Sequence, residues 1–160
     1  MTEKMIFSVE QAGKSEIATL LRHRELMFRD MSTDSYTEEQ IRTAMNRFEP
    51  WLMSKLSDGT IAAFIAYTDN RAVAGSGCVW FRDTQPTPKV PVYTIPYLMS
   101  MYTERQYRRM GVATAVLNRA IEISIANGHK RILLHASKYG RPVYLKAGFE
   151  DSSEMRMDIG

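Results

Sequence analysis

The residues best suited to chemistry lie in a short basic segment, residues 105–114, that leads directly into a helix. The segment reads Arg-Gln-Tyr-Arg-Arg-Met-Gly-Val-Ala-Thr. The first turn of a helix leaves N–H groups without partners and carries about half a positive charge. Gly111 lets a ligand approach the backbone because it has no side chain. This pattern predicts a site for an anion such as a phosphate or pyrophosphate. The alternative is an ordinary helix start with solvated arginines.

Positive charge is concentrated around this segment. The whole chain of 160 residues has a formal net charge of +3, yet residues 104–146 contain nine Lys or Arg against two Asp or Glu. A basic segment in a nearly neutral protein indicates an anionic partner: a nucleic acid, a membrane surface or a small polyphosphate. The alternative is that the basic residues form a solvated surface with no partner, and charge alone does not distinguish the two.

The residue content excludes several other kinds of site. A single cysteine, Cys78, rules out a disulfide framework, and the three histidines lie too far apart in sequence to form a metal site. The apolar runs are far shorter than the roughly 20 residues of a membrane span, and the N-terminus lacks a signal-peptide pattern. The expected location is therefore cytoplasmic.

Two phosphate-binding loops of other kinds are also excluded. No P-loop pattern is present. Gly75-Ser76-Gly77 lacks the third glycine of a dinucleotide fingerprint and lies in a strand rather than before a helix. It therefore predicts a bulge or a point of close packing.

The elements that must position the basic segment alternate between strands and helices. With 44% hydrophobic and 24% charged residues, the chain predicts one soluble domain over residues 1–160. Hydrophobic periodicity predicts helices that begin at residues 15, 37, 111 and 137, and strands over residues 4–11, 60–68, 72–81, 92–103, 130–136 and 148–159. This order indicates an α/β (α+β) fold on one mixed sheet.

Three local signals refine these elements. Thr37 and Gln40 form a capping-box pair at the start of the second helix. Pro50 predicts a kink or a break near residues 48–49 of that helix. Pro96 requires a bulge or an edge position in its strand.

A second group of residues follows the strand predicted at 130–136. Ser137 can cap a short helix that contains Tyr144, and a glycine and a phenylalanine follow that helix. The two groups together resemble the GNAT superfamily of acetyl-CoA-dependent N-acetyltransferases. Residues 108–113 (R-x-x-G-x-A) are similar to its pyrophosphate motif Q/R-x-x-G-x-G/A, and residues 144–149 (Y-x-x-x-G-F) match its terminal motif. One helix and one strand lie between the motifs, as in the family.

The resemblance implies a fold and a binding mode for the coenzyme. The fold is a mixed sheet of about six or seven strands with about four helices, splayed at strand 92–103. The Met101 amide would polarise the thioester carbonyl, and Thr103 would pair with the pantetheine arm. Ser137, where many members have asparagine, would cap its helix and contact the coenzyme. The pyrophosphate would be held by the motif loop: Arg108, Arg109, Met110, Gly111, Val112, Ala113 and Thr114.

The resemblance also implies a catalytic residue. Tyr144 matches the general acid that protonates the departing thiolate, for which a phenol is suitable. The alternative is a half-buried aromatic residue that packs its helix on the sheet. The amine needs a base or a water relay, and the sequence does not single one out: Tyr97, Ser100 and Glu104 flank the expected centre.

These observations predict an N-acetyltransferase that moves the acetyl group of acetyl-CoA to a primary amine of a small molecule or peptide, without a metal, by direct attack in a ternary complex. The first two helices and the loops at residues 32–36 and 82–91 would border the acceptor. A non-catalytic acyl-CoA sensor on the same fold is the alternative. A nucleic-acid module lacks any supporting motif, so neither nucleic acid nor membrane is expected as a partner. Homodimer formation stays open.

Overall fold

Five strands form one mixed sheet in the computed structural model of the chain, which describes residues 5–31 and 36–160. The strands lie in chain order. Neighbours are antiparallel from β1 to β4, whereas β5 runs parallel to β4. The bounds are β1 Ser8–Ala12, β2 Ile61–Tyr67, β3 Val73–Asp83, β4 Thr94–Thr103 and β5 Leu133–Leu134.

The helices cover both faces of this sheet. They are α1 Ile17–Asp30, α2 Glu38–Asp58, α3 Val112–Ala126 and α4 Arg141–Lys146. Side chains alternate between the faces of a strand, so successive residues of β2 belong to two cores. Phe64 lies in the core under α3, and Ile65 lies in the core under α1 and α2. The mixed α/β class predicted from the sequence is confirmed.

The start of α2 is as predicted. Thr37 Oγ1 accepts a hydrogen bond from the Gln40 backbone N–H at 3.1 Å, and Gln40 Oε1 accepts one from the Thr37 N–H at 2.8 Å.

The break predicted at Pro50 is wrong, because α2 is continuous across it. Phe48 and Leu52 are buried on either side of the exposed proline. Their burial holds both halves of the helix on the sheet.

The strand predicted over residues 148–159 is also wrong, and the sheet has five strands rather than six or seven. The alternating side chains of that segment are exposed: Met155 is 94% exposed, Met157 79% and Ile159 87%. The neighbouring strand β5 is two residues long. So short a strand offers almost no ladder for another to join.

Two further predictions concern the position of Pro96 in its strand and the loop at residues 32–36. Pro96 lies opposite Phe81, one residue before β4–β5 pairing begins at Tyr97. It therefore occupies the edge position that its missing N–H requires. Of the loop expected to border the acceptor at residues 32–36, residues 32–35 lie outside the described residues.

Candidate active site

The middle of β4 contains a bulge. Its ladder with β3 shifts register after Ser76, so that Gly77 faces both Ser100 and Met101. Ser100 has a φ of 55°, in the left-handed region. An extra residue on one strand bends it and interrupts regular pairing. Met101, the residue expected to face the thioester carbonyl, therefore lies where the ladder is interrupted.

β4 separates from β5 just before this bulge. Parallel pairing joins only Tyr97 and Leu98 to Leu133–Leu134. β4 then continues to Thr103 with no strand of the described chain on that side. An unpaired strand edge can accept an extended chain as an additional strand. The predicted splay is confirmed, and Thr103 lies on the free segment.

Two glycines bring β3 close to β4 and α3. A Cβ atom on Gly75 would lie 2.6 Å from the Tyr102 carbonyl oxygen and 2.6 Å from Val112 Cγ1. A Cβ atom on Gly77 would overlap Met101 Sδ. The 75–77 run is thus a close-packing point, one of the two predicted alternatives, and the bulge opposite it lies on β4. Its packing fixes the start of α3 beside the end of β4.

α3 begins at a sharp turn with free backbone donors. Arg109 has a φ of 62°, and Gly111, at the N-cap, has a φ of 93°. The Ala115 N–H donates to the Gly111 carbonyl at 3.0 Å, whereas the N–H groups from Arg109 to Thr114 donate to no backbone carbonyl of the described chain. A Cβ on Gly111 would meet nothing within 4 Å. Open space in front of free amides at a helix N-terminus suits an anion with several oxygens.

Two of the nearby arginines are turned toward α1 rather than toward this turn. Arg105 donates to Asp30 Oδ1 at 2.6 Å, and Arg108 donates to Asp30 Oδ2 and, through Nε, to the Thr103 carbonyl at 3.1 Å. The Arg105 hydrogen bond is the main reason that the pKa of Asp30 lies below its usual value. The positive charge of Arg105 and Arg108 is therefore shared with the Asp30 carboxylate. Arg109 is exposed.

Tyr144 lies in α4 and is half-buried. Its ring packs on the core under α3 and meets the Phe149 ring edge-on, with centroids 5.8 Å apart. Burial raises the pKa of the Tyr144 phenol to about 12. The phenol is consequently protonated at neutral pH, which is the form that a general acid needs. Met101 packs on the edge of the same core.

Ser137 caps the turn that leads into α4. Its Oγ accepts a hydrogen bond from the Gly140 N–H at 3.1 Å, and its carbonyl accepts one from the Arg141 N–H at 3.0 Å. A Cβ on Gly140 would lie 3.0 Å from Tyr144 Cε2. The cap and the small residue together allow the Tyr144 ring to settle against the turn. The helix itself is shorter than the predicted 137–147 and covers Arg141–Lys146.

A network of hydrogen-bonded polar side chains lies beside the site, and no pattern in the sequence predicts it. His23 of α1 is fully buried; its Nδ1 lies 2.7 Å from Ser76 Oγ, and its Nε2 lies 3.0 Å from Glu104 Oε1. Arg22 also donates to Glu104. Burial lowers the pKa of His23, and the hydrogen bond from Arg22 is the main cause that lowers the pKa of Glu104. Only the folded chain brings these distant residues together.

A cavity of the described chain lies away from this site. It has a volume of 660 Å³ and is lined by residues such as Gly59, Thr60 and Asn127. Asn127 is at the C-terminal end of α3, about 24 Å from Gly111 at the helical rise of about 1.5 Å per residue. In the described part of the chain, no three His, Cys, Asp or Glu residues are arranged to hold a metal, and no helix is long and apolar enough to cross a membrane.

Comparison with known proteins decides the family. Residues 25–149 match the acetyltransferase (GNAT) family. The chain belongs to this family. The match begins within α1 and includes both motifs of the GNAT chain, residues 108–113 and 144–149. No curated protein matches the chain significantly.

Solved structures share the GNAT fold along almost the whole chain. A GCN5-related N-acetyltransferase from Ralstonia eutropha JMP134 is 23% identical with a TM-score of 0.87, covering 96% of this chain and 99% of its own. A predicted acetyltransferase from Clostridium acetobutylicum, solved with acetyl-CoA, is 26% identical with a TM-score of 0.84, covering 97% and 96%. An aminoglycoside acetyltransferase from an uncultured soil metagenomic sample is 20% identical with a TM-score of 0.70, covering 98% and 99%.

Proposed function

We propose that this chain is an N-acetyltransferase that transfers the acetyl group of acetyl-CoA to a primary amine of a small molecule or peptide by direct attack in a ternary complex. The proposal treats residues 1–160 as one acetyltransferase domain. The observation that carries it is the set of free backbone donors from Arg109 to Thr114, next to the free edge of β4. Membership of the family and the neighbour solved with acetyl-CoA support it.

The binding role belongs to backbone rather than to side chains. The α3 turn is a row of N–H donors at the positive end of a helix dipole, with open space in front of Gly111. The Arg108 side chain is already hydrogen-bonded to Asp30 and to the Thr103 carbonyl. We therefore assign pyrophosphate binding to backbone amides. The free edge of β4 at Thr103 would receive the pantetheine arm, and Ser137 would approach the coenzyme from the α4 turn. The assigned amides are those of Arg109, Met110, Gly111, Val112 and Ala113, with the Thr114 hydroxyl. The Arg108 amide, also expected there from the sequence, donates to the Arg105 carbonyl at 3.4 Å.

The chemical role is divided between the β4 bulge and α4. An amide N–H aimed at a developing oxyanion stabilises it by a few kcal/mol, about 2.7–4 in measured cases. The Met101 amide, at the interrupted ladder, is assigned this role. Acetyl-CoA supplies the thioester, and the Tyr144 phenol supplies the proton for the departing thiolate. Because burial raises its pKa, the phenol is protonated at neutral pH and the proton is present when the thiolate leaves.

The test is a screen of amines with release of free CoA as the readout. The panel contains amino acids, lysyl peptides, peptide N-termini, polyamines and aminoglycosides. In parallel, binding of acetyl-CoA is measured by calorimetry for the wild type and for Tyr144→Phe. We expect transfer to at least one amine, and a fall in kcat of about a hundredfold or more in the variant with coenzyme affinity unchanged.

Three outcomes would contradict parts of the proposal. Coenzyme binding without transfer to any amine would favour the acyl-CoA sensor. Full activity of Tyr144→Phe would instead restrict Tyr144 to a packing role. Failure to bind acetyl-CoA would refute the assignment of the α3 turn.

A further inference from the structure

α1 carries a half-buried positive charge that no acidic residue of the described chain compensates. Arg24 forms no ion pair with a carboxylate of the described chain. Its Nε is the one fully buried side-chain nitrogen or oxygen in residues 5–31 and 36–160 that lacks a hydrogen-bond partner. Acidic neighbours along the helix are already engaged. Glu25 pairs with Arg29 at 2.8 Å, and Asp30 with the arginines of the α3 turn.

The surroundings of this guanidinium are apolar. Its central carbon lies 4.1 Å from the centre of the Phe48 ring and 5.0 Å from that of Phe28. Stacking on aromatic faces offsets part of the cost of burying the charge. Burial still lowers the pKa of Arg24. Removing even part of a charge from water without a counterion is costly, and a hydrophobic residue would fill this place at lower cost. Because the residue is partly exposed, its uncompensated charge points to an anionic ligand that approaches the guanidinium from the open side.

The position of the guanidinium connects it to the reaction centre. Arg24 Nη1 donates to Ser100 Oγ at 2.7 Å. Ser100 is the left-handed residue of the β4 bulge and directly precedes Met101, whose amide is assigned to the thioester carbonyl. An anion bound by Arg24 would therefore lie close to the attacking amine. It would also be on the α1–α2 side of the sheet, where the acceptor is expected.

We propose that Arg24 binds a carboxylate of the acceptor, and that the acceptor is an amino acid. The inference rests on the proposed function, because it names the substrate class of the same site. The planar guanidinium matches a carboxylate through two parallel N–H donors, and the low polarity of the Phe28 and Phe48 rings strengthens that pair. Since Ser100 and Met101 are adjacent, the carboxylate and the amine should be a few bonds apart, as in an α-amino acid. A polycationic acceptor would be repelled by the same charge.

The first experiment compares matched acceptors with the wild-type protein. Leucine, phenylalanine, glutamine and lysine are each tested beside their primary amides, which keep the α-amine and side chain but lose the carboxylate charge. We expect kcat/KM to be about 10- to 100-fold higher for at least one acid than for its amide, as a charged hydrogen-bonded contact implies. Calorimetry with CoA-loaded protein measures binding of each pair independently of turnover.

The second experiment changes the arginine. Arg24→Met should remove the preference for the acid mainly by raising KM about 10- to 100-fold, while the amide and coenzyme affinity change little. Arg24→Lys should retain part of the preference, because lysine keeps the charge but lacks the two parallel N–H donors of the guanidinium. Arg47→Met, at an exposed position of α2, serves as the control and should match the wild type. Thermal melting reports folding of each variant, and the wild-type comparison stands if Arg24→Met fails to fold.

Each result has a distinct meaning. If the wild type acetylates acids and amides with equal kcat/KM, the carboxylate site is overturned while acetyl transfer stays intact. The same holds if Arg24→Lys lowers kcat/KM equally for the acid and for its amide. Acid-selective binding without turnover would support the carboxylate site and count against the proposed function. Absence of acid-selective binding in calorimetry would refute the carboxylate site whatever the activity.

Discussion

Gly111→Glu is the perturbation that most directly challenges the assigned coenzyme site. Gly111 is the N-cap of α3, and a side chain there would enter open space in front of the free amides. We expect the added carboxylate to repel a pyrophosphate and to compete for the same N–H donors. The affinity for acetyl-CoA, measured by calorimetry, should fall while the protein stays folded.

The magnitude follows from charge and backbone geometry. Two unit charges about 4 Å apart interact by about 1 kcal/mol in water and about 4 kcal/mol near a protein surface. The affinity should therefore fall between about fivefold and a thousandfold, less at high salt. A non-glycine residue at a φ of 93° adds about 1–2 kcal/mol of backbone strain. For a chain of this size that strain lowers Tm by roughly 2–8 °C.

Matched variants separate charge from strain. Gly111→Ala carries the strain without the carboxylate. Gly128→Glu adds both the strain and the carboxylate, but at the other end of α3. Gly128 has a φ of 82° and open space around its Cβ position. We expect similar losses of stability in all three, but a large loss of coenzyme affinity only in Gly111→Glu. Unchanged affinity in that variant, or an equal loss in Gly128→Glu, would refute the assigned site.

Three further predictions concern protonation and packing. A Tyr144 pKa of about 12 predicts that kcat, measured from pH 8 to pH 10, does not fall through loss of the phenol proton; a fall centred near pH 9 would show a different environment. Burial lowers the pKa of His23, so the unfolded chain takes up its proton first, and the free energy of unfolding should decrease as pH falls below about 6.5. His23→Gln should flatten that decrease in urea titrations between pH 5 and pH 7, and an unchanged slope would exclude His23 as the source. Gly75→Ala should destabilise the fold more than Gly77→Ala, because its Cβ meets a backbone carbonyl rather than mainly side chains; equal losses in urea unfolding would contradict the packing described.

The predicted elements that agree with the structure depend on local patterns. The capping box of Thr37 and Gln40 involves residues three apart, and the apolar stripe of α3 repeats within a few turns. Sequence periodicity reports such short-range order directly. The C-terminal strand failed for a related reason. Alternation at Met155 and Met157 describes a side-chain pattern, whereas a strand also needs a neighbour to pair with, and β5 provides almost none.

The sequence by itself determined the two motifs, their order and the family that they resemble, because each motif is a run of adjacent residues. Only the tertiary structure decided the surroundings of the reaction centre. It placed His23 against Ser76 and Glu104, turned Arg108 toward Asp30, and brought Arg24 to the bulge at Ser100. These partners lie 53 to 81 residues apart. No local pattern links them, since their contacts arise when α1 packs across the ends of β3 and β4.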